Sequence, residues 1–173
     1  MICGLDISTS ITGVTLLDNS GKIVYNEAWD TRKFKDFFEK AEFIRRKITF
    51  LTEKYEIDEV YIEQSLQSFR SGFSSAKTLS SLSRFNGIVS WLMFHYTKVK
   101  PEYLSATSAR KSCGIKVPRG TKAKEVVVSF LLDNEPQFMV EYTKFGNVKP
   151  ECFDKADSII IARAGYNCRQ SRK

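Results

Sequence analysis

Four acidic residues in three separate parts of the sequence have side chains suited to binding divalent metal ions. Asp6 lies within an apolar run that predicts a first strand, and Glu63 ends a similar run at residues 58–63. Asp154 and Asp157 lie three residues apart, on one face of a predicted helix. Aspartate is unfavourable inside a strand because its side chain competes for backbone hydrogen bonds. Asp6 therefore marks either a strand edge or end, or a functional position.

The two aspartates on the predicted helix repel each other at this spacing. One explanation for the pair is the helix dipole, since acids near a helix N-terminus are stabilising by ~0.3–1 kcal/mol. The other is a divalent cation that both side chains bind. If the two strands are neighbours and the helix packs across them, all four carboxylates converge.

Carboxylate oxygens are hard ligands that suit Mg²⁺ or Mn²⁺. Two such ions ~3.5–4 Å apart can hold the attacking and leaving oxygens of a phosphodiester. Four negative charges balance two divalent cations. We therefore expect two Mg²⁺ ions per active site, with Mn²⁺ as a substitute.

Residues 110–124 form a basic strip that contains no acid. Such a run is either a phosphate-binding surface, whose affinity falls steeply with salt, or an ordinary solvated face. The whole chain carries 27 basic and 20 acidic residues, a net charge of +7, which favours a polyanionic partner such as nucleic acid. The cations of the strip are Arg110, Lys111, Lys116, Arg119, Lys122 and Lys124.

The elements that must position these residues follow from hydrophobic periodicity. Two short apolar runs, joined through a turn at residues 18–21 to a third, predict three antiparallel strands at the start. Residues 58–63 and 98–104 predict two more strands. Apolar residues at three- and four-residue steps predict helices over residues 34–55, 75–96, 122–134 and 153–166, with a short helix ending at Gly114. This order of elements predicts a mixed α/β sheet.

The 173 residues are most simply one domain, with residues 167–173 as a frayed basic tail. A hydrophobic content of 42% and an aromatic content of 13% predict a proper core and exclude a disordered chain. The four cysteines form no C-x-x-C pair, and the single histidine makes a zinc site unfavourable. No signal peptide or membrane-spanning run is visible, so we expect a cytoplasmic protein with free thiols and no membrane association.

Three motifs in the sequence resemble those of the RuvC-type Holliday junction resolvases, members of the ribonuclease H-like superfamily. The motifs are G-L-D-I-S-T-S-I-T-G-V at residues 4–14, V-Y-I-E-Q at 60–64, and F-D-K-A-D-S-I-I-I-A at 153–162. The resemblance covers nearly the whole chain in motif order and spacing. Two departures are Ser8-Thr9, near the place where the commoner bacterial opening has Pro-Gly, and a lengthened segment at residues 135–151. The resemblance is divergent, and a phage or viral origin would fit it.

The resemblance implies a five-stranded mixed sheet flanked by helices, with three antiparallel strands followed by parallel ones. It implies that Asp6, Glu63, Asp154 and Asp157 are the metal ligands. It further implies a homodimer that cuts two opposing strands of a four-way DNA junction, leaving 5′-phosphate and 3′-hydroxyl ends.

Two groups of DNA contacts are also implied. Lysines of the basic strip would approach the cleaved phosphate, and Lys111, Lys122 and Lys124 are the leading candidates, with Lys122 and Lys124 counted as catalytic. The family places an apolar wedge just beyond its central glutamate. Leu66 matches this position, Phe69 and Phe73 are aromatic options, and Arg70 lies between them, although either phenylalanine could equally pack in the core.

Three other functions stay open. A nuclease of the same fold could act on forks, flaps or three-way branches rather than strictly on four-way junctions. The chain could also bind branched DNA without cutting it. Residues 4–13 resemble the phosphate loop of actin-like and sugar kinases as well, but those proteins enclose the nucleotide between two such domains and this chain has room for one.

Overall fold

A five-stranded mixed sheet forms the centre of the protein. The structure is a computed structural model that describes residues 1–64 and 76–172. The strands are β1 (Ile2–Asp6), β2 (Ile11–Leu17), β3 (Ile23–Asp30), β4 (Glu59–Glu63) and β5 (Glu102–Leu104), and their order in the sheet is β3-β2-β1-β4-β5. The first three pair antiparallel, whereas β4 is parallel to both β1 and β5. β1 and β2 are covered on both faces, which explains why their sequences are mostly apolar rather than alternating apolar and polar residues.

Five helices cover the two faces of this sheet. α1 (Phe37–Lys54) and α2 (Ala76–Thr97) pack on one face, against side chains such as Leu5, Val14 and Ile62. α3 (Ala106–Ser112), α4 (Ala123–Asn134) and α5 (Pro150–Ser171) pack on the other, against Ile2 and Tyr61. Alternate residues of β1 and β4 thus enter opposite cores. In the described residues, no helix is long and apolar enough to cross a membrane.

The longest contact between a helix and the sheet is made by α5, which lies across β1 and β2. Two glycines permit this close approach. A Cβ added at Gly4 would lie 2.4 Å from the backbone nitrogen of Ala162, and one added at Gly13 would lie 1.9 Å from the carbonyl oxygen of Asp154. Only a residue without a side chain fits at either position.

A chain of polar groups crosses the same interface. Asn26 Nδ2 donates to the hydroxyl of Thr15, which hydrogen-bonds to the hydroxyl of Ser158 at 2.8 Å. Ser158 in turn donates to the carbonyl of Lys155. Thr15 and Ser158 are both fully buried, so their bond satisfies two hydroxyls that have no access to water.

The structure confirms the predicted mixed sheet and the predicted strands and helices, with shifts of a few residues at their ends. The prediction of a frayed tail was wrong for residues 167–171, which continue α5 to Ser171. Their polar side chains have distant partners: Asn167 donates to the carbonyl of Ser112, and Arg169 pairs with Glu59 at 2.6 Å. The segment between α4 and α5, which received no assignment from the sequence, contains a small hairpin closed by a bridge between Tyr142 and Val148.

Candidate active site

Two neighbouring parallel strands bring Asp6 and Glu63 together. Leu5 of β1 is in register with Ile62 of β4, and the two acids are the next residues, at the carboxyl ends of these strands. Adjacent strands lie about 4.8 Å apart, so these side chains share one edge of the sheet. The turn after Asp6 is held by Ser8, whose hydroxyl donates to the carbonyl of Ile11 and accepts from its N–H.

The first turns of α5 place Asp154 and Asp157 over the same edge. The helix begins at Pro150, whose missing N–H and fixed φ suit a helix start. Gly13 is the partner of Asp6 in the ladder between β1 and β2, and it lies directly under the carbonyl of Asp154. The close approach at Gly13 thus sets the distance between α5 and the strand that carries Asp6.

Burial raises the pKa of all four carboxylates, which we call the carboxylate cluster (Asp6, Glu63, Asp154, Asp157), and repulsion by neighbouring acids contributes to the rise for three of them. Burial raises the pKa of Glu63 to about 7, with a further contribution from the charge of Asp157. The pKa of Asp154 is raised to about 6, again mainly by burial. Burial and the neighbouring charges of Glu63 and Asp157 raise the pKa of Asp6 well above its ordinary value, and burial raises that of Asp157.

One ammonium group lies among these acids. Lys124, near the start of α4, has its Nζ 3.4 Å from Asp157 Oδ2 and 3.9 Å from Asp154 Oδ1. Its charge opposes the rise in pKa of all four carboxylates. Arg110 of α3 opposes the rise for Glu63 and Asp157. The cluster therefore has more negative charge than its surroundings neutralise.

The chemistry of the cluster fits divalent metal ions of the magnesium type. All four donors are carboxylates, on rigid elements, and a cation already occupies a position between two of them. Within residues 1–64 and 76–172, no three acidic, histidine or cysteine side chains are close enough, as they stand, to share one ion.

The structure separates the other predicted site residues. Lys124 contacts the carboxylate cluster, whereas Lys122 immediately precedes α4 and its exposed ammonium pairs with Glu125 at 2.9 Å. Arg110 is close enough to act on the cluster electrostatically, while Lys111, Lys116 and Arg119 lie on the exposed surface. The predicted DNA contacts Leu66, Phe69, Arg70 and Phe73 lie outside the described residues.

Sequence reasoning missed two features that support the site. Arg32, beyond the end of β3, contacts both Asp30 and Glu151 and so ties β3 to the first turn of α5. The packing role of Gly13 was also missed, although a glycine inside an otherwise apolar strand is a signal of close backbone approach.

Comparison with solved structures identifies this architecture. The structure of Thermus thermophilus RuvC in complex with Holliday junction substrate matches with a TM-score of 0.67 at 15% identity, covering 98% of this chain and 94% of that chain. The chain has the RuvC fold. A second structure of T. thermophilus RuvC gives a TM-score of 0.65 at 16% identity, covering 98% of this chain and 96% of that chain.

The crystal structure of the yeast mitochondrial Holliday junction resolvase Ydc2 also matches, with a TM-score of 0.63 at 16% identity, covering 98% of this chain and 78% of that one. No protein-family model and no curated protein sequence matches the chain. The RuvC fold is thus found here with a sequence that has diverged far from those of the solved structures. The expected ribonuclease H-like architecture is confirmed.

Proposed function

We propose that the protein is a metal-dependent endonuclease that resolves four-way DNA junctions. The observation that carries this proposal is a set of four carboxylates, from β1, β4 and α5, near enough to shift one another's pKa values, with the ammonium of Lys124 against Asp154 and Asp157. The RuvC fold, with solved examples that include a complex with a Holliday junction, supports it.

Asp6, Glu63, Asp154 and Asp157 would hold two Mg²⁺ ions, which Mn²⁺ could replace. Bound there, the ions would supply Lewis-acid stabilisation of the negative charge that develops on the phosphate. The chain's own residues do the positioning. The ends of β1 and β4 fix one pair of ligands, and the first turns of α5 fix the other.

Two cations of the chain would act on the DNA itself. Lys124, when released from Asp154 and Asp157, is free to contact a phosphate oxygen beside the cut. Arg110, whose charge acts on Glu63 and Asp157, would hold a neighbouring phosphate. The exposed cations at positions 111, 116, 119 and 122 would extend this surface along the backbone, with affinity that falls as salt rises.

A homodimer would apply two such sites to a symmetric junction and make paired nicks on opposing strands. Each nick would leave a 5′-phosphate and a 3′-hydroxyl. The products are then directly sealable by a ligase, which gives a simple chemical readout of the reaction.

The test uses an immobile synthetic junction with each of its four strands labelled in turn, in Mg²⁺. We expect paired symmetric cuts by the parent protein, and none by Asp6→Asn or Asp154→Asn, which should still bind the junction. Asp133→Asn, an exposed acid on α4, is the matched control and should cut normally. Equal cutting by all four proteins would refute the assignment. Faster cutting of flaps or three-way branches would reassign the substrate to branched DNA in general.

A further inference from the structure

The hairpin between α4 and α5 is well ordered by its own hydrogen bonds. Its turn is closed by Thr143 N–H to the carbonyl of Asn147 at 2.7 Å and by Gly146 N–H to the carbonyl of Thr143 at 2.9 Å. Gly146 adopts a φ of 79°, which favours glycine. Below the turn, Lys149 N–H donates to the carbonyl of Glu141 at 2.9 Å. The tip is therefore a defined structure rather than a loose connection.

This hairpin displays large apolar side chains to solvent. Phe145 at its tip is 78% exposed, Tyr142 57%, and Met139 just before it 74%. Single exposed apolar residues are ordinary on protein surfaces, but three within seven residues of one small hairpin make this segment a candidate interaction site. We call residues 139–149 the aromatic hairpin.

The aromatic hairpin is attached directly to the helix that carries half of the carboxylate cluster. Glu141 N–H contacts the buried sulfur of Cys152 at 3.2 Å, and Cys152 is two residues before Asp154. That separation is about 3 Å along a helix axis. From this base the strands reach the tip in four residues, about 13 Å. The tip thus lies within a few nucleotide steps, at about 3.4 Å each, of the proposed cleavage site.

The charges of the tip favour nucleic acid over a protein partner. Residues 142–149 contain no acid. Lys149 is neutralised by Glu141 at 2.7 Å, while the Nζ of Lys144 lies 5.0 Å from the centre of the Phe145 ring. An exposed ring beside a cation can stack on a base and contact the adjacent phosphate, the combination used by proteins that bind unpaired nucleotides.

We propose that the aromatic hairpin is a second DNA-binding element, which stacks Phe145 on a base exposed at the branch point while Lys144 contacts the adjoining phosphate. The proposal rests on the proposed function, because it places the substrate by the carboxylate cluster. It assigns a role to the segment in which this sequence is longer than the family it resembles. It is also separate from the wedge expected at residues 66–73.

The experiment measures binding in an Asp154→Asn background, so that no junction is cut. The ligands are a four-way junction with 2-aminopurine at the branch point and a linear duplex of the same sequence. Phe145→Ala should lower junction affinity about 5- to 150-fold, the range expected for one stacked base, with little effect on the duplex. It should also abolish the change in 2-aminopurine fluorescence. Lys144→Gln should lower the slope of log affinity against log salt by about 1.

Phe50→Ala is the matched control, because Phe50 is 53% exposed on α1, on the opposite face of the sheet. It should leave both measurements unchanged. Parental junction affinity in Phe145→Ala would overturn the proposal, as would an equal loss of affinity for junction and duplex. A loss of self-association in gel filtration with DNA affinity unchanged would also overturn it and make the aromatic hairpin a protein contact. Failure of the Asp154→Asn protein itself to bind the junction would instead count against the proposed function.

Discussion

Replacing Gly13 with alanine should displace the part of α5 that carries Asp154 and Asp157 while leaving the protein folded. A Cβ at this position would lie 1.9 Å from the Asp154 carbonyl oxygen and 2.5 Å from its carbonyl carbon. Both atoms are backbone, so rotation of a side chain cannot relieve the clash. The helix must move away from β2 by at least about 1 Å to restore an ordinary contact.

The size of the effect follows from that displacement. Overpacking of this kind costs about 1–3 kcal/mol, which for a chain of this length lowers Tm by roughly 4–8 °C at the middle of the range. A misplacement of about 1 Å between groups that act on one substrate can cost about 100-fold in rate. Because Asp154 moves relative to Asp6, binding of Mn²⁺ should weaken as well.

The matched control is Gly4→Ala, which makes the same kind of clash with the backbone of Ala162. Ala162 is eight residues beyond Asp154, about 12 Å further along the helix. This variant should be destabilised to a similar extent but should retain most of its cleavage rate and its Mn²⁺ affinity.

Single-turnover cleavage with saturating protein, below both melting temperatures, separates the chemical step from DNA binding. Calorimetric titration with Mn²⁺ gives a readout that does not depend on activity. If Gly13→Ala and Gly4→Ala have the same rate and the same Mn²⁺ affinity, the contact at Gly13 does not position the site and the reasoning fails.

Two further predictions concern stability. Because the pKa values of Glu63 and Asp154 are raised, the folded protein keeps protons on these groups at pH values where the unfolded chain has lost them. The free energy of unfolding, measured in EDTA, should therefore fall by on the order of 2 kcal/mol from pH 4.5 to 7.5. In urea titrations, the free energy of unfolding of Asp6→Asn should change less with pH than that of the parent protein. The same change with pH in both proteins would contradict the prediction. Arg163→Ala should cost about 2–3 kcal/mol in the same titrations, because it leaves the mostly buried Glu135 carboxylate without its 2.5 Å partner. Arg46→Ala, at an exposed position on α1, should cost little, and equal costs would show that the Arg163–Glu135 pair is not stabilising.

The strands and long helices could be predicted because their signals are local. Each has an apolar period that its own sequence carries, and the sheet's central strands are buried on both faces. The last turn of α5 and the aromatic hairpin lack that signal. The former depends on distant partners such as Glu59, and the latter has its apolar side chains in solvent.

The residue types of the candidate site could be predicted, but their convergence depends on a pairing that no local pattern encodes. Glu63 reaches Asp6 only because β4 inserts next to β1, parallel to it and more than forty residues later. Which of the two lysines, Lys122 or Lys124, lies against the acids of α5 depends on where α4 begins. Lys122 precedes its first residue and turns to Glu125, whereas Lys124 faces α5.

The buried bond between Thr15 and Ser158 has a consequence for the accuracy of assembly. Sliding α5 by one residue along the sheet would shift it about 1.5 Å and rotate it about 100°. Thr15 would then lose its hydroxyl partner in a dry interface, while Ser158 would keep the Lys155 carbonyl of its own helix. Apolar side chains of similar shape would not impose this penalty. The bond between these two hydroxyls therefore favours a single register of α5 on the sheet, the one that places its first turns over the ends of β1 and β4.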